Sequence, residues 1–328
     1  MSTNVIIGID VSKNTLDGFI SSSGVFFKIE NAPKGFLKLH RHINRCRKEN
    51  ASLLVVFEHT GLYSYRLQKW LIQNKIPFTM VSGLEIKRSM GIVRGKTDRL
   101  DALRITEYAL TKQLQPASPE SLTSHRLKTL VNLRSRLVTQ RAGYESSMSQ
   151  MHLFLELKVS DVILKTQQTL INTLSKQIEK IEQEIRILID QIKEWKKNYE
   201  LITSIPGVGF VVAINMLSVT DNFQRFNDAR KFACYAGTAP FEHSSGISIR
   251  GKTTVSNLAN KHIKFLLNMA AIVSACHDPE LKKYFNRRVA NGKTKMNAIN
   301  VVRNKILYRM FAVIKRQTPY VKLGNYAA

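Results

Sequence analysis

The chain is poor in acid. Its 328 residues hold 24 Asp and Glu against 50 Lys and Arg, a formal charge of +26 and a pI near 10.1. A cationic surface of that size favours a polyanion such as DNA or RNA, with an anionic membrane as the other candidate. Cysteine is scarce as well. Cys46, Cys234 and Cys276 are odd in number, far apart and without a C-x-x-C spacing. That excludes a disulfide framework and reads as reduced thiols in the cytoplasm. The eight histidines form no H-x-x-x-H or His/Cys pair, which argues against zinc. No apolar run approaches the ~20 residues of a membrane-spanning helix. Met1 to Asn4 is polar and leads straight into a strand, so no signal peptide is read there. At 44% hydrophobic and 23% charged, the composition is that of a folded globular protein, long enough for two or three domains.

What is present is organised in three parts, an α/β portion followed by α. Residues 1–115 alternate strands and helices. Val5 to Val11, Thr15 to Ile20 and Val25 to Ile29 read as strands joined by the turns at Ser12 to Asn14 and Ser21 to Gly24. A helix is expected over Lys34 to Arg47. The run "SLLVVFEHTG" (Ser52 to Gly61) is apolar without alternation, as buried parallel strands are. Leu62 to Gln73 reads as a helix, Phe78 to Val81 as a strand, and Leu84 to Met90 and Thr97 to Thr111 as two more helices. The order βββαβαβα is that of an RNase H/RuvC-like mixed sheet.

Residues 116–200 contain almost nothing that breaks a helix: after Pro119 there is no proline before Tyr199, and one glycine, Gly143. Ile171, Leu174, Ile178, Ile181, Ile185, Leu188, Ile192 and Trp195 alternate spacings of three and four, the seam of a coiled coil. Arg126 to Leu157 is helical but less regular, and "ELKVSD" (Glu156 to Asp161) turns the chain. A projecting hairpin used for dimerisation is expected, since no other segment obviously covers so long a seam; the alternative is a bundle within one chain. Residues 201–328 are mainly helical and basic. From His243 onward there are sixteen Lys and Arg and two acids, Asp278 and Glu280. Solvated faces mix signs, so Lys282, Arg287, Arg288 and Lys293 are assigned to a polyphosphate.

Acids are few, so their placing is informative. Asp10 ends the first strand and Glu58 the fourth, which are neighbours in such a sheet. "GKTDRLDA" (Gly95 to Ala102) adds Asp98 and Asp101 on one face of a helix start. Four converging carboxylates repel unless a cation sits among them, and hard oxygen ligands suit Mg²⁺ or Mn²⁺. Such ions activate and stabilise oxygens at phosphorus. Each acid has a plainer alternative: Asp98 as a helix cap, Asp101 paired with Lys96 or Arg104, Glu58 with Lys13. Asp17, inside the second strand, is read as facing solvent. "IPGVG" (Ile205 to Gly209) reads as a helix-hairpin-helix turn in which Gly207 and Gly209 let the backbone approach a phosphate. "RGK" occurs twice, at Arg94 to Lys96 and Arg250 to Lys252, as candidate phosphate clamps.

"IGIDVSK", "FEHTG" and "RGKTDRLDA" together resemble the DEDD motifs of the insertion sequence 110 family of transposases, which includes Piv-type DNA invertases. "SIPGVG" and "FNDARKFACYAGTAPFEHSSGISIRGK" (Phe226 to Lys252) resemble that family's C-terminal transposase domain. One departure is His59, where the family pattern more often has a small residue. The resemblance implies that Asp10, Glu58, Asp98 and Asp101 are metal ligands, and that a C-terminal serine attacks DNA. Ser245, directly before Gly246, is the choice and Ser244 the runner-up. The resemblance further implies a 5′-phosphoserine intermediate, double-stranded donor and target DNA and a non-coding bridge RNA. It also implies a homodimer assembling to a homotetramer, in which the metal cluster of another subunit completes the serine's site. No membrane is involved; the expected place is the bacterial cytoplasm, at the nucleoid. A structure-specific nuclease of Holliday junctions, using the four acids with water, is the rival enzyme. A non-catalytic scaffold is the third reading, and it gives no reason for the four acids.

Overall fold

The computed structural model describes residues 5–47, 52–89, 97–116, 122–155, 161–226, 228–241, 244–245, 249–251 and 253–321. The chain divides into two compact units, Met1–Pro119 and Glu120–Ala328.

The first unit is built on a five-stranded mixed sheet of order β3-β2-β1-β4-β5. β1 (Val5–Val11), β2 (Thr15–Ile20) and β3 (Phe26–Glu30) form an antiparallel meander. β4 (Leu53–Glu58) runs parallel to β1, and β5 (Phe78–Val81) parallel to β4. The helices are α1 (Pro33–Arg47), α2 (Leu62–Gln73), α3 (Gly83–Ser89) and α4 (Asp98–Thr111). The expected mixed sheet is present, with strand ends displaced by a residue or so: β4 stops at Glu58, and Gly61, at a φ of 67°, caps α2.

β1 and β4 lie in the middle of the sheet and are covered on both faces, which is why both are apolar at nearly every position. Ile7, Ile9, Val55 and Phe57 join Leu39 and Ile43 of α1 and Leu67 and Leu71 of α2 in one core. On the other face Ile6, Leu54 and Val56 meet Ile86, Ile105 and Ala109. Each such side chain, fully buried, stabilises the fold by about 1.5–3 kcal/mol. Gly8 fixes how closely α4 approaches: a Cβ there would run into Thr106 Oγ1 and the Ala102 carbonyl. A side chain at this position would lift the whole helix from the sheet.

The second unit opens with α5 (Leu122–Leu155) and α6 (Val162–Asp190). They pack antiparallel, as the cross-helix partners show: Arg134 with Glu182, Arg141 with Ser175, Gln167 with Ser147. Leu164, Ile171, Ile178 and Ile185, seven residues apart, are buried. The expectation that nothing else in the chain covers this seam is corrected here: α5 of the same chain packs along it. The seam is also shorter than expected. α6 ends at Asp190, Ile192 is extended (φ −118°, ψ 109°), and Trp195 sits on α7 (Lys193–Thr203). The break lets Trp195 turn into the C-terminal core beside Ile185 and Ile189.

The remaining helices are α8 (Phe210–Thr220), α9 (Ala229–Tyr235), α10 (Lys261–His277), α11 (Pro279–Ala290) and α12 (Lys295–Arg316). Between α9 and α10 lie two short ladders, β6 (Pro240–Phe241) with β9 (Thr254–Val255) and β7 (Ser244–Ser245) with β8 (Ile249–Arg250). Leu127 and Val131 from the base of α5 share one core with Phe232, Leu267, Val302 and Leu307. The hairpin is thus rooted in the C-terminal helices. No helix of the described residues is long and apolar enough to cross a membrane.

Candidate active site

One rung of the first sheet carries most of the candidate chemistry. Asp17 pairs with Asp10 across β1 and β2, and with Lys28 across β2 and β3. On the other side Ile9 pairs with Phe57, so Asp10 and Glu58 are the next residues along the same parallel ladder. Residues abreast of one another point to the same face. Lys28, Asp17, Asp10 and Glu58 therefore stand in a row across four strands. The row faces α4, whose close approach over Gly8 brings Asp98 and Asp101 above it.

The start of α4 is set locally. Thr97 is the N-cap, its hydroxyl accepting the Leu100 N–H at 3.3 Å. Asp98 is thus the first helical residue and not the cap, and Asp98 and Asp101 share the first turn. Glu58 packs closely on Gly83, where any side chain would meet its carboxylate. The crowding shows in Asp10. Burial, then the charges of Asp101, Asp98, Glu58 and Asp17, lift its carboxyl from the ordinary 3.8 to about 6.

Asp17 corrects the sequence reading. It is 8% exposed, and its carboxylate lies 3.4 Å from Lys28 Nζ. It faces α4 because it is the cross-strand partner of Asp10, and alternation turns both to the same side. Lys28 Nζ also lies 3.8 Å from Asp98. Arg104 Nη1 donates to Asp101 Oδ1 at 2.8 Å, so the pairing weighed as an alternative for Asp101 is present. The signal for Asp17 was the turn at Ser12 to Asn14, which sets the register and puts residue 17 opposite residue 10. His59, the departure in the motif, is turned to its own chain: its Nδ1 accepts the Gly61 N–H at 3.4 Å.

Among the described residues, no three His, Cys, Asp or Glu lie close enough to hold a metal ion as they stand. The donor set nevertheless fits one. It consists of carboxylate oxygens alone, the hard ligands that Mg²⁺ and Mn²⁺ take. Its central member is held above its ordinary range first by burial and then by the neighbouring negative charges, which a divalent cation would offset.

In the second unit, the backbone of Ser244 pairs with Arg250 and that of Ser245 with Ile249. Ser244 and Ser245 thus stand in a short strand; Gly246 lies outside the described residues, as do Arg94, Lys96 and Lys252. Gly207 has a φ of 87°, and a Cβ on it would meet Ser274 Oγ and the Ala270 carbonyl of α10. Its missing side chain is used by packing within the protein, which the phosphate reading of IPGVG did not anticipate. Gly209 is exposed at the N-cap of α8.

The two acids of the basic tail are already engaged. Arg309 pairs with Asp278 at 2.7 Å and Glu280 at 2.6 Å. Lys282, Arg287 and Lys293 are exposed and Arg288 is half-buried. Among the described residues none of these four forms an ion pair with a carboxylate.

Residues 7–153 match the family model for DEDD transposases of the IS110 type, described as "Transposase". Residues 199–286 match "Transposase IS116/IS110/IS902 family". The chain is similar to the pilin gene-inverting protein of Moraxella lacunata, with 28% identity over 322 residues, 96% of this chain and 97% of that one. The corresponding protein of Moraxella bovis matches to the same extent. The transposase for insertion sequence element IS1111A of Coxiella burnetii is 23% identical over 273 residues, covering 75% of this chain and 73% of its own.

Proposed function

Because this chain belongs to the IS110 family of DEDD transposases, we propose that it cleaves and rejoins DNA at the ends of a mobile element and at a target site, by transesterification through a 5′-phosphoserine. The observation that carries the reading is the rung of Asp10 and Glu58 beneath Asp98 and Asp101, four carboxylates gathered in a chain of +26. An acid cluster in so basic a protein has no role in gripping a polyanion. It suits a reaction at phosphorus.

The roles divide by chemistry. Asp10, Glu58, Asp98 and Asp101 would hold the divalent cation, Mg²⁺ or Mn²⁺. When bound, it supplies positive charge to the non-bridging oxygens and to the attacking and leaving oxygens. Ser245 Oγ attacks the phosphorus. The Oγ–P bond forms, the P–O3′ bond breaks, and the serine's proton passes to the freed 3′ oxygen. The reverse step, with a different 3′-hydroxyl, seals the exchanged strand without ATP, because the phosphodiester energy is kept in the serine ester. Lys28 and Arg104 hold Asp98 and Asp101 by their charges in the meantime.

The parts of the chain follow this division: residues 1–115 for the carboxylates, 116–200 for a hairpin that joins copies, and 201–328 for the serine and phosphate contacts. Lys282, Arg287, Arg288 and Lys293, with Arg94, Lys96, Arg250, Lys252 and the Gly207 to Gly209 turn, hold duplex DNA and a guiding non-coding RNA. The working form is a dimer that assembles to a tetramer. The test is strand exchange on a plasmid carrying the element's ends. Ser245→Ala should bind DNA as the parent does, yet neither cleave nor exchange it. Ser244→Ala should keep most of the activity. If Ser245→Ala still nicks DNA through its carboxylates, with water as nucleophile, the Holliday-junction nuclease replaces this reading.

A further inference from the structure

The rung of carboxylates does not end at Asp17. At the sheet edge it opens into a cleft of about 300 Å³, lined by Asp17, Gly18, Phe26, Phe27, Lys28 and Arg99. The Arg99 guanidinium lies 4.0 Å over the Phe26 ring. Phe26 is backed in turn by Phe19, with ring centroids 4.5 Å apart. Arg99 is exposed and, among the described residues, makes no ion pair, so the outer side of this stack is free. Lys28 also lines the cleft, its exposed ammonium 3.4 Å from Asp17 and 3.8 Å from Asp98.

From this arrangement we infer that the cleft takes one unpaired nucleotide of the DNA strand being processed, its base on the Arg99–Phe26 stack and its phosphate at Lys28. The inference rests on the reading above, in which the neighbouring carboxylates act on DNA. The size suits one nucleotide and is far too small for a duplex. Guanidinium planes and aromatic rings are the surfaces on which splayed bases stack. Sequence-tolerant stacking beside the site of chemistry would hold the strand after its base pairs open. Asp17 takes a defined part: it neutralises Lys28 until a phosphate arrives and keeps the lysine beside Asp98. Arg99 has a further role built into the chain. It lies between Asp98 and Asp101 on the first turn of α4, so a base seated on it is held within one helical turn of two of the four carboxylates.

The test measures binding of a short single-stranded oligothymidine and of a random duplex to the full chain, in calcium, with Arg99→Ala, Arg99→Lys and Phe26→Leu. Stacking one base is expected to be worth about tenfold in affinity. Arg99→Lys keeps the charge and loses the plane. It should weaken single-strand binding about as much as Arg99→Ala, and leave duplex binding, held by the C-terminal cations, within about twofold. Phe26→Leu should act in the same way with an unchanged salt slope. Full single-strand affinity in Arg99→Lys overturns the inference, because a point charge would then suffice. Equal losses on duplex and single strand also overturn it. So does competition by free thymidine monophosphate as strong as by the oligonucleotide, which would make the occupant a free nucleotide. The proposed function fails by a different sign: an Asp10→Asn protein that still exchanges strands, whatever the Arg99 variants bind.

Discussion

Asp10→Asn separates a carboxylate kept for chemistry from one kept for structure. Holding the Asp10 carboxyl at about 6 in place of 3.8 corresponds to about 3 kcal/mol at full strength. Asp10 is half-buried, and solvent screening brings the figure to about 1 kcal/mol. The sign follows from which state holds the proton more tightly. The folded protein does, so its advantage is complete below the unfolded value of 3.8 and is lost as pH rises through about 6. At pH 7.5, in chelator, the wild type therefore carries a charge penalty that the amide does not. Asp10→Asn should be more stable there by about 1 kcal/mol, and the difference should vanish near pH 4. Urea unfolding followed by Trp70 in a Trp195→Phe background reads the first unit alone, since the chain has only these two tryptophans. A divalent cation at a hundredfold its Kd should add about 2.7 kcal/mol to the wild type and far less to the variant. Strand exchange should be abolished. A variant less stable than the parent at pH 7.5, or an offset independent of pH, would show that Asp10 serves a structural hydrogen bond and would refute the electrostatic argument.

Other outcomes follow from the same structure. Gly8→Ala should cost about 1–3 kcal/mol and lower activity, since its Cβ meets the Ala102 carbonyl and Thr106; wild-type stability would show that α4 can yield. Ile178→Ala should destabilise the second unit by about 2–4 kcal/mol, read by urea unfolding, because the seam is buried within one chain; a change of mass with no loss of stability would return it to an interface between copies. Leu153→Lys with Phe154→Lys, at the far end of α5 and exposed, should lower the mass in light scattering if the hairpin joins copies, and an unchanged mass would remove it from assembly. Alanine at Lys282, Arg287, Arg288 and Lys293 should reduce the salt slope of duplex binding by ~0.9 for each phosphate that is no longer neutralised, while an unaltered slope would make that face merely solvated.

Much of the first unit was legible because its two central strands are covered on both faces and so are apolar throughout, each running up to one acid. Asp98 and Asp101 were legible as a pair from their spacing. Asp17 was not: alternation shows that a residue faces one side, and only the register of the hairpin shows which neighbour it faces. Gly207 was legible as a place of close approach, but what approaches was not, because a glycine does not say what comes near it; in the fold α10 does. The hairpin seam was visible in α6, whose apolar residues repeat evenly. Its cover was hidden because α5 contributes Leu127 and Val131 among charged and polar residues, with Arg134 and Arg141 reaching across through side-chain ends. The break at Gln191 and Ile192 carries no glycine or proline. It is imposed by the burial of Trp195 in a core made largely of residues more distant in sequence.

The central claim is that a serine of the second unit, and not water, attacks the phosphodiester. Mass spectrometry of a stopped, denatured and nuclease-trimmed reaction reads it directly. The account predicts a nucleotide joined through its 5′-phosphate to Ser245, absent from Ser245→Ala, from Asp10→Asn and from reactions in chelator. A peptide bearing Ser245 that stays unmodified while DNA is cut to water-derived ends would contradict it.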